Sequence, residues 1–311
     1  MRGVFLDTLT MKPGELDTSG LEASLDHWDF HETTSPAQVA ERIAGADVVI
    51  TNKVVLDRQL IENATDLKLI CVCATGTNNV DHNAAEDRGI PVRNVAGYAG
   101  ASVPQHALAL ILGLATRWHQ YHSDVMAGRW SQSPVFCMLD YPVMELAKKK
   151  LGIIGYGDLG RTTADLGRAL GMEVLVAESL SGEKKSGRVP LQRLLAESDV
   201  ISLHCPLTAE TDRLVNREFL AAMKPGTLLV NTARGGLVDE PALADALRSG
   251  HLGGAALDVL SVEPPPADHP LLAGDIPNLI ITPHSAWISR ESRQRLLDGV
   301  VANIREWRRS N

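Results

Sequence analysis

The chain reads as an α/β protein of two successive parallel-sheet units, and three features predict it. Short apolar runs alternate with amphipathic segments of helical period along most of the sequence, the pattern of strands joined by right-handed helical crossovers. After an interruption rich in glycine and small residues the alternation restarts with sharper contrast near Lys150. The 311 residues, 44% of them apolar, suffice for one large core or two moderate ones, and the length leans towards two domains.

In the first hundred residues RGVFLD (2–7), ADVVIT (46–51), LKLICVCA (67–74) and IPVRNV (90–95) read as strands, with SPAQVAERIAG (35–45) and DHNAAEDRG (81–89) as helices between them. NVAGYAGAS (94–102) places two glycines and small residues before VPQHALALILGLATRW (103–118), read as one helix, and so marks a crossing between units. KLGIIG (150–155), EVLVAE (173–178), DVISLHC (199–205), GTLLVNT (226–232), GAALDV (254–259) and NLIITP (278–283) are the strands of the second unit. Its helices are DLGRTTADLGRAL (158–170), PLQRLLAES (190–198), NREFLAAM (216–223) and EPALADALRSG (240–250), the last closed by Gly250. SRESRQRLLDGVVANIREWRR (289–309) is one amphipathic helix, too short to be a domain, so it must pack on something earlier. The expectation is a discontinuous first domain, 1–98 plus 287–311, a second domain at 99–286, and a cleft between them.

Charge and composition exclude several classes of function. The net charge is −8 and the longest basic cluster is KKK at 148–150, so the electrostatic footprint of a nucleic-acid binder is lacking. MRGVFLDTLT has an apolar run too short for a signal peptide, and ALALILGLA (107–115) falls short of a membrane span, so a cytoplasmic protein that meets no membrane is expected. Cys71, Cys73, Cys137 and Cys205 lack C-x-x-C spacing, which suggests neither a metal site nor a disulfide framework but small buried hydrophobes.

IIGYGDLG (153–160) carries the first chemistry. Gly155, Gly157 and Gly160 form G-x-G-x-x-G directly after a strand and at the mouth of a helix, with Asp158 and Leu159 between them. The first glycine serves the tight turn, the second the approach of a pyrophosphate and the third helix–strand packing, while N–H groups of the helix start bind phosphate. The next strand ends in Glu178, 18 residues beyond Gly160, about where an acid meets the adenosine ribose. This points to a Rossmann-like domain that prefers NAD, with NADP possible if Lys184, Lys185 or Arg188 reach the same place; a solvated loop is the favoured reading of those three.

Three more positions lie at strand carboxyl ends, where such a sheet binds its ligands. Arg234 follows Leu228, Leu229 and Val230, where a charge is poorly solvated; Asp258 and Glu263 follow GAAL; His284 follows LIITP. Each alone has a plain structural reading, Arg234 as a helix cap or a partner of Asp239, His284 as a satisfied structural histidine and Glu263 as a solvated acid. Together they supply what carbonyl reduction requires. A cation holds a substrate carboxylate and polarises the carbonyl, an imidazole gives the proton, and a carboxylate orients the imidazole and favours its protonated form.

GYGDLG, HCPLTAET, MKPGTLLVNTARGGLVDE, GAALDVLSVEP and TPHSAW resemble the successive signatures of the D-isomer-specific 2-hydroxyacid dehydrogenases over nearly the whole chain. The resemblance implies a two-domain, NAD(P)-dependent enzyme that interconverts a small 2-oxo acid and its D-2-hydroxy acid. It casts Arg234 as the substrate-binding arginine, Glu263 as the orienting carboxylate and His284 as the acid/base. It also gives Thr75 and Gly76 the substrate carboxylate, with Asn52 and Lys53 as rim contacts. Val103 lies against the nicotinamide, His204, Cys205, Pro206 and Thr211 lie at the adenine, and Thr232, Ala233 and Asp258 run towards the nicotinamide ribose. Trp287 and residues 137–141 shape the pocket for the substrate side chain. Residues 118–145 resemble the arm through which two cofactor domains pair, which implies a homodimer. SVPQH departs from the common pattern at Pro104 and Gln105, the latter removing a charge. TNKV, ATGTNNVD, SQSPVFCMLDYP and HSAW look most like the glycerate dehydrogenase/hydroxypyruvate reductase branch. Glyoxylate-specific or D-lactate-type reduction, or a non-catalytic NAD-sensing role on the same fold, are the alternatives.

Overall fold

Every apolar run read above as a strand takes its place in one of two all-parallel sheets. The computed structural model describes residues 1–179 and 185–310. They form two units, Met1–Ala99 with the segment from Ile288 onward, and Gly100–Trp287.

The first unit carries β1 (Arg2–Phe5), β2 (His27–Phe30), β3 (Val48–Thr51), β4 (Leu69–Val72) and β5 (Val92–Arg93) in the order β2-β1-β3-β4-β5. Its helices are α1 (Ser19–Glu22), α2 (Pro36–Ile43), α3 (Arg58–Asn63) and α4 (His82–Asp87). Asp57 and Asp81 cap the last two by accepting from Leu60 N and Ala84 N. β3 and β4 are buried throughout, as central parallel strands must be. The sequence reading has no strand at 27–30. β2 is an edge strand, and its HWDF is partly exposed, so it lacks the apolar run by which the other strands are recognised. The C-terminal helix, Arg290–Ser310, packs on α1 and β4 of this unit. Arg293, nearly buried, donates to Met11 O at 2.8 Å, and a Cβ on Gly299 would meet Val95 at 2.5 Å.

The second unit carries β6 (Lys150–Ile154), β7 (Glu173–Val176), β8 (Val200–Leu203), β9 (Leu228–Asn231), β10 (Gly254–Leu257) and β11 (Leu279–Ile281), in the order β11-β10-β9-β8-β6-β7. Around them lie α5 (Ser102–Thr116), α6 (Trp118–Met126), α7 (Asp158–Ala169), α8 (Leu191–Glu197), α9 (Arg217–Ala222) and α10 (Glu240–Arg248). The helix expected over 103–118 stops at Thr116, because Arg117 takes a left-handed φ of +56° before α6 begins. Leu228 and Val230 pack under α5 with Leu110, Ile111 and Leu114, while Leu229, Ile201 and Leu257 pack on the opposite face with Leu243 and Leu247 of α10. Alternate side chains thus feed two cores, each buried Leu or Val contributing roughly 1.5–3 kcal/mol. The strand order reverses between β6 and β8, which places the ligand crevice of an open sheet outside their carboxyl ends. No helix among the described residues is long and apolar enough to cross a membrane.

Candidate active site

At the end of β6 the chain turns at Gly155 with φ +91°, a conformation open to glycine, and a Cβ there would lie 2.4 Å from the backbone of His204 and Cys205. Gly157 caps α7 and nothing lies within 4 Å of where its Cβ would be, so the helix mouth is open. A Cβ on Gly160 would meet Gly155 O at 2.1 Å, which fixes α7 tightly against the turn. Leu159 is partly buried, and Asp158 is exposed and pairs with Arg161 at 2.6 Å. Beside this turn a cavity of about 640 Å³ is lined by Gly155, Gly157, Glu178, Cys205, Pro206 and Thr211 among others.

Lys185, exposed, and Arg188, partly so, lie on a loop that borders the same cavity. Glu178 N–H donates to Val189 O and Val189 N–H to Val176 O, both at 2.9 Å, and this pairing returns the segment alongside β7. Lys184 lies outside the described residues.

Two buried polar atoms near this crevice have no partner within the protein, Nδ1 of His204 and Oγ1 of Thr232. Both lie on residues expected at a dinucleotide, and together with the open helix mouth they fit a polar ligand here. The other nitrogen of His204 meets Ser202 Oγ at 2.9 Å, and burial pushes its pKa down to about 4. Burial also pushes the Cys205 thiol up to about 11 and the Cys71 thiol up to about 12; all four cysteines are free. The Thr211 hydroxyl is taken up within its own loop, donating to Pro206 O at 2.8 Å and accepting from Thr208 N at 2.7 Å.

Arg234 stands one residue beyond Ala233 and three beyond the buried end of β9, and it is exposed, not poorly solvated as the run of leucines suggests. The reason is Asn231. Fully buried, it accepts from Ala233 N at 3.0 Å and donates from Nδ2 to Arg234 O at 2.8 Å, lifting the chain out of the sheet. Asp239 is not the partner of Arg234; its carboxylate caps α10 by accepting from Ala242 N. Nor do Gly235 and Gly236 turn the chain through positive φ, since neither adopts it. Gly235 is required by contact, because a Cβ would lie 1.9 Å from Leu260 C and O.

His284 has a left-handed φ of +51°, rare for a side chain-bearing residue and costing on the order of 1–3 kcal/mol. Its N–H donates to Asp258 O at 2.8 Å and Thr282 O at 2.9 Å, which hold it there. The conformation brings Nδ1 to 2.6 Å from Glu263 Oε2, and Glu263 Oε1 accepts from Leu260 N at 2.9 Å. Asp258, 1% exposed, accepts from Ser285 N at 2.8 Å, Ala286 N at 2.9 Å and Thr282 Oγ1 at 2.5 Å, with His106 Nε2 at 3.4 Å. Burial raises its pKa, but hydrogen bonds from His106, Thr282, Ala286 and Ser285 outweigh burial and leave it below the usual carboxylate value. Val103 is buried in the first turn of α5, and Trp287 is partly exposed after the His284 loop.

The first unit has its own constellation at strand carboxyl ends. Asp7, just beyond β1, accepts from the N–H groups of Asn52 (2.8 Å), Lys53 (2.7 Å) and Val54 (3.3 Å). Burial pushes its carboxyl above the usual range against the opposing effect of these donors. Lys53 is exposed, whereas Asn52 is 3% exposed and not at a rim, because its N–H is drawn in to Asp7. Thr75 is exposed and Gly76 partly so, and Asn94 Nδ2 pins their loop by donating to Thr75 O at 2.6 Å. Sequence reasoning missed Asp7, His106, Asn231 and Glu240. Asp7 and Asn231 carried a signal, being polar residues at the ends of apolar strands that must find partners once buried.

Residues 108–286 match the family model described as "D-isomer specific 2-hydroxyacid dehydrogenase, NAD binding domain". The chain is 43% identical over 313 residues to a hydroxypyruvate reductase of Blautia hydrogenotrophica, covering 99% of this chain and 97% of that protein. It is 43% identical over 303 residues to a glycerate dehydrogenase of Methylorubrum extorquens, covering 95% and 96%. The crystal structure of an NAD-dependent formate dehydrogenase from Staphylococcus aureus in complex with NAD superposes with a TM-score of 0.84 at 29% identity, over 100% of this chain and 96% of that one. The chain therefore belongs to the D-isomer-specific 2-hydroxyacid dehydrogenases, oxidoreductases that interconvert 2-oxo and 2-hydroxy acids with NAD(P).

Proposed function

We propose that this chain reduces hydroxypyruvate, and glyoxylate as a second substrate, to the 2-hydroxy acid, with His284, Glu263 and Arg234 as its working residues. The observation that carries the assignment is the 2.6 Å contact between His284 Nδ1 and Glu263 Oε2. With Nδ1 committed to the carboxylate, Nε2 is the ring nitrogen that gives a proton to the carbonyl oxygen, and takes it back in the reverse direction. Arg234, exposed and anchored through its backbone by Asn231, holds the substrate carboxylate and polarises the carbonyl. In the first unit Thr75 and Gly76 offer backbone N–H groups suited to a carboxylate, and in the second Trp287 borders the substrate side chain. The nicotinamide, when bound, supplies the hydride. Gly155, Gly157 and Gly160 would hold the pyrophosphate of the dinucleotide, Glu178 its adenosine ribose hydroxyls, His204 its adenine and Thr232 and Asp258 its nicotinamide ribose, with Val103 on the nicotinamide side.

NADH is the preferred cofactor in this reading, since the Glu178 carboxylate repels a 2′-phosphate. Arg188 and Lys185 in the same cavity allow NADPH at lower efficiency. Two copies pair through residues 118–145, which carry exposed Trp118, Met126, Phe136 and Leu139.

The deciding experiment is oxidation of NADH and of NADPH against hydroxypyruvate, glyoxylate, pyruvate and 2-oxobutyrate. The highest kcat/KM is expected with NADH and hydroxypyruvate. Preference for pyruvate would favour D-lactate chemistry, and no oxidation with any of the four would overturn the enzymatic assignment in favour of NAD sensing.

A further inference from the structure

Away from His284 lies a second buried polar cluster. Glu240, the first residue of α10 and 8% exposed, accepts from Ser261 N at 2.8 Å through Oε1. Its Oε2 accepts from Ser261 Oγ at 2.7 Å and lies 3.1 Å from His269 Nε2. His269, 6% exposed, accepts from Leu271 N through Nδ1 at 3.3 Å, which leaves Nε2 as the nitrogen that donates to Glu240. A carboxylate this buried is costly unless every oxygen is engaged, and both are.

The groups so gathered are the two ends of one loop. Ser261 and His269 bracket the proline-rich segment that carries Glu263, and Ser261 is only two residues before it. Prolines stiffen that segment, so fixing its ends fixes what lies between. Next to the anchor, Leu260 N–H donates to Glu263 Oε1, and the Leu260 carbonyl packs on Gly235, the neighbour of Arg234.

We infer that Glu240 is a positioning residue, which clamps the loop through Ser261 and His269 so that Glu263 reaches His284. The inference rests on the role proposed above for Glu263 and His284. A loop released by about 1 Å lowers turnover by about 10- to 100-fold without changing what binds.

The test is a double-mutant cycle of Glu240→Gln and Glu263→Gln in the full-length protein, with kcat, KM for hydroxypyruvate, NADH affinity and Tm measured for each. Glutamine keeps the size of Glu240 and removes one acceptor. Glu240→Gln should lower kcat about 10- to 100-fold while KM and NADH affinity stay within about twofold, and should have no further effect once Glu263 is Gln. An equal loss in both backgrounds, or an unchanged kcat in the first, would overturn the proposal. If Glu240→Gln does not fold, Ser261→Ala takes its place, removing one hydrogen bond; the same non-additivity is expected with a smaller loss. If Glu263→Gln alone leaves kcat unchanged, the role of Glu263 fails first, and that outcome is recognisable without any change at Glu240.

Discussion

A methyl group on Gly235 would lie 1.9 Å from the carbonyl of Leu260, so the backbone after Arg234 and the backbone before Glu263 touch with no room for any side chain. The contact couples two residues of the proposed chemistry that are 29 positions apart in sequence. It also explains the glycine by close approach, since its φ is not positive.

Gly235→Ala therefore forces backbone to move, which no flexible side chain can absorb. Overpacking of this kind costs typically 1–3 kcal/mol, or roughly 2–4 °C in Tm per kcal/mol for a domain of this size. We expect a lower Tm and a loss of kcat/KM of about 100-fold, as Arg234 and Glu263 separate. Thermal melts and steady-state kinetics on the same preparation check both. Wild-type kinetics in a protein with a lowered Tm would show that the contact serves packing alone.

How much of this was legible beforehand follows from the kind of signal each residue leaves. β3, β4 and β9 were readable because both of their faces are buried. β2 was not, because an edge strand need not be apolar, and the break at Arg117 was not, because nothing local marks a left-handed arginine. Arg234, Glu263 and His284 were nominated by lying at strand ends in a recognisable motif. Asn231, Asp258 and Glu240 hold those residues through hydrogen bonds to backbone groups up to 28 positions away, and pairings of that range have no periodicity to read.

His284→Ala should lower kcat by about 10²- to 10⁴-fold, the usual worth of a positioned acid. NADH affinity should hold, because the helix mouth at Gly157 and the cavity beside Glu178 do not depend on the imidazole. Nucleotide titration by fluorescence and single-turnover reduction separate the two. A variant that turns over like the wild type would remove His284 from the mechanism.

The arm 118–145 predicts the assembly state. Phe136 is 89% exposed and Leu139 is 87% exposed, unusual for large apolar side chains unless something covers them. Sedimentation equilibrium should give a mass of two chains for the wild type. Replacing Phe136 and Leu139 together with Ser should move the protein towards one chain. A monomeric wild type at micromolar concentration would contradict the pairing.

The last prediction concerns acid stability. Burial holds His204 at about 4, below the ~6.5 of a free imidazole. Between those two values the unfolded chain binds a proton that the folded chain refuses. The stability tied to His204 is therefore complete above pH ~6.5 and is lost as pH falls towards ~4. The full loss is on the order of 3 kcal/mol. Carboxylates titrate in part of the same window, so the informative quantity is the difference between wild type and His204→Gln, whose neutral amide takes up no proton there. Urea unfolding at pH 7 and pH 4 should show the wild type losing on the order of 3 kcal/mol more than the variant over that span. An equal loss in both proteins would mean that His204 takes up its proton in the folded state, which the burial of the ring and the unpartnered Nδ1 argue against.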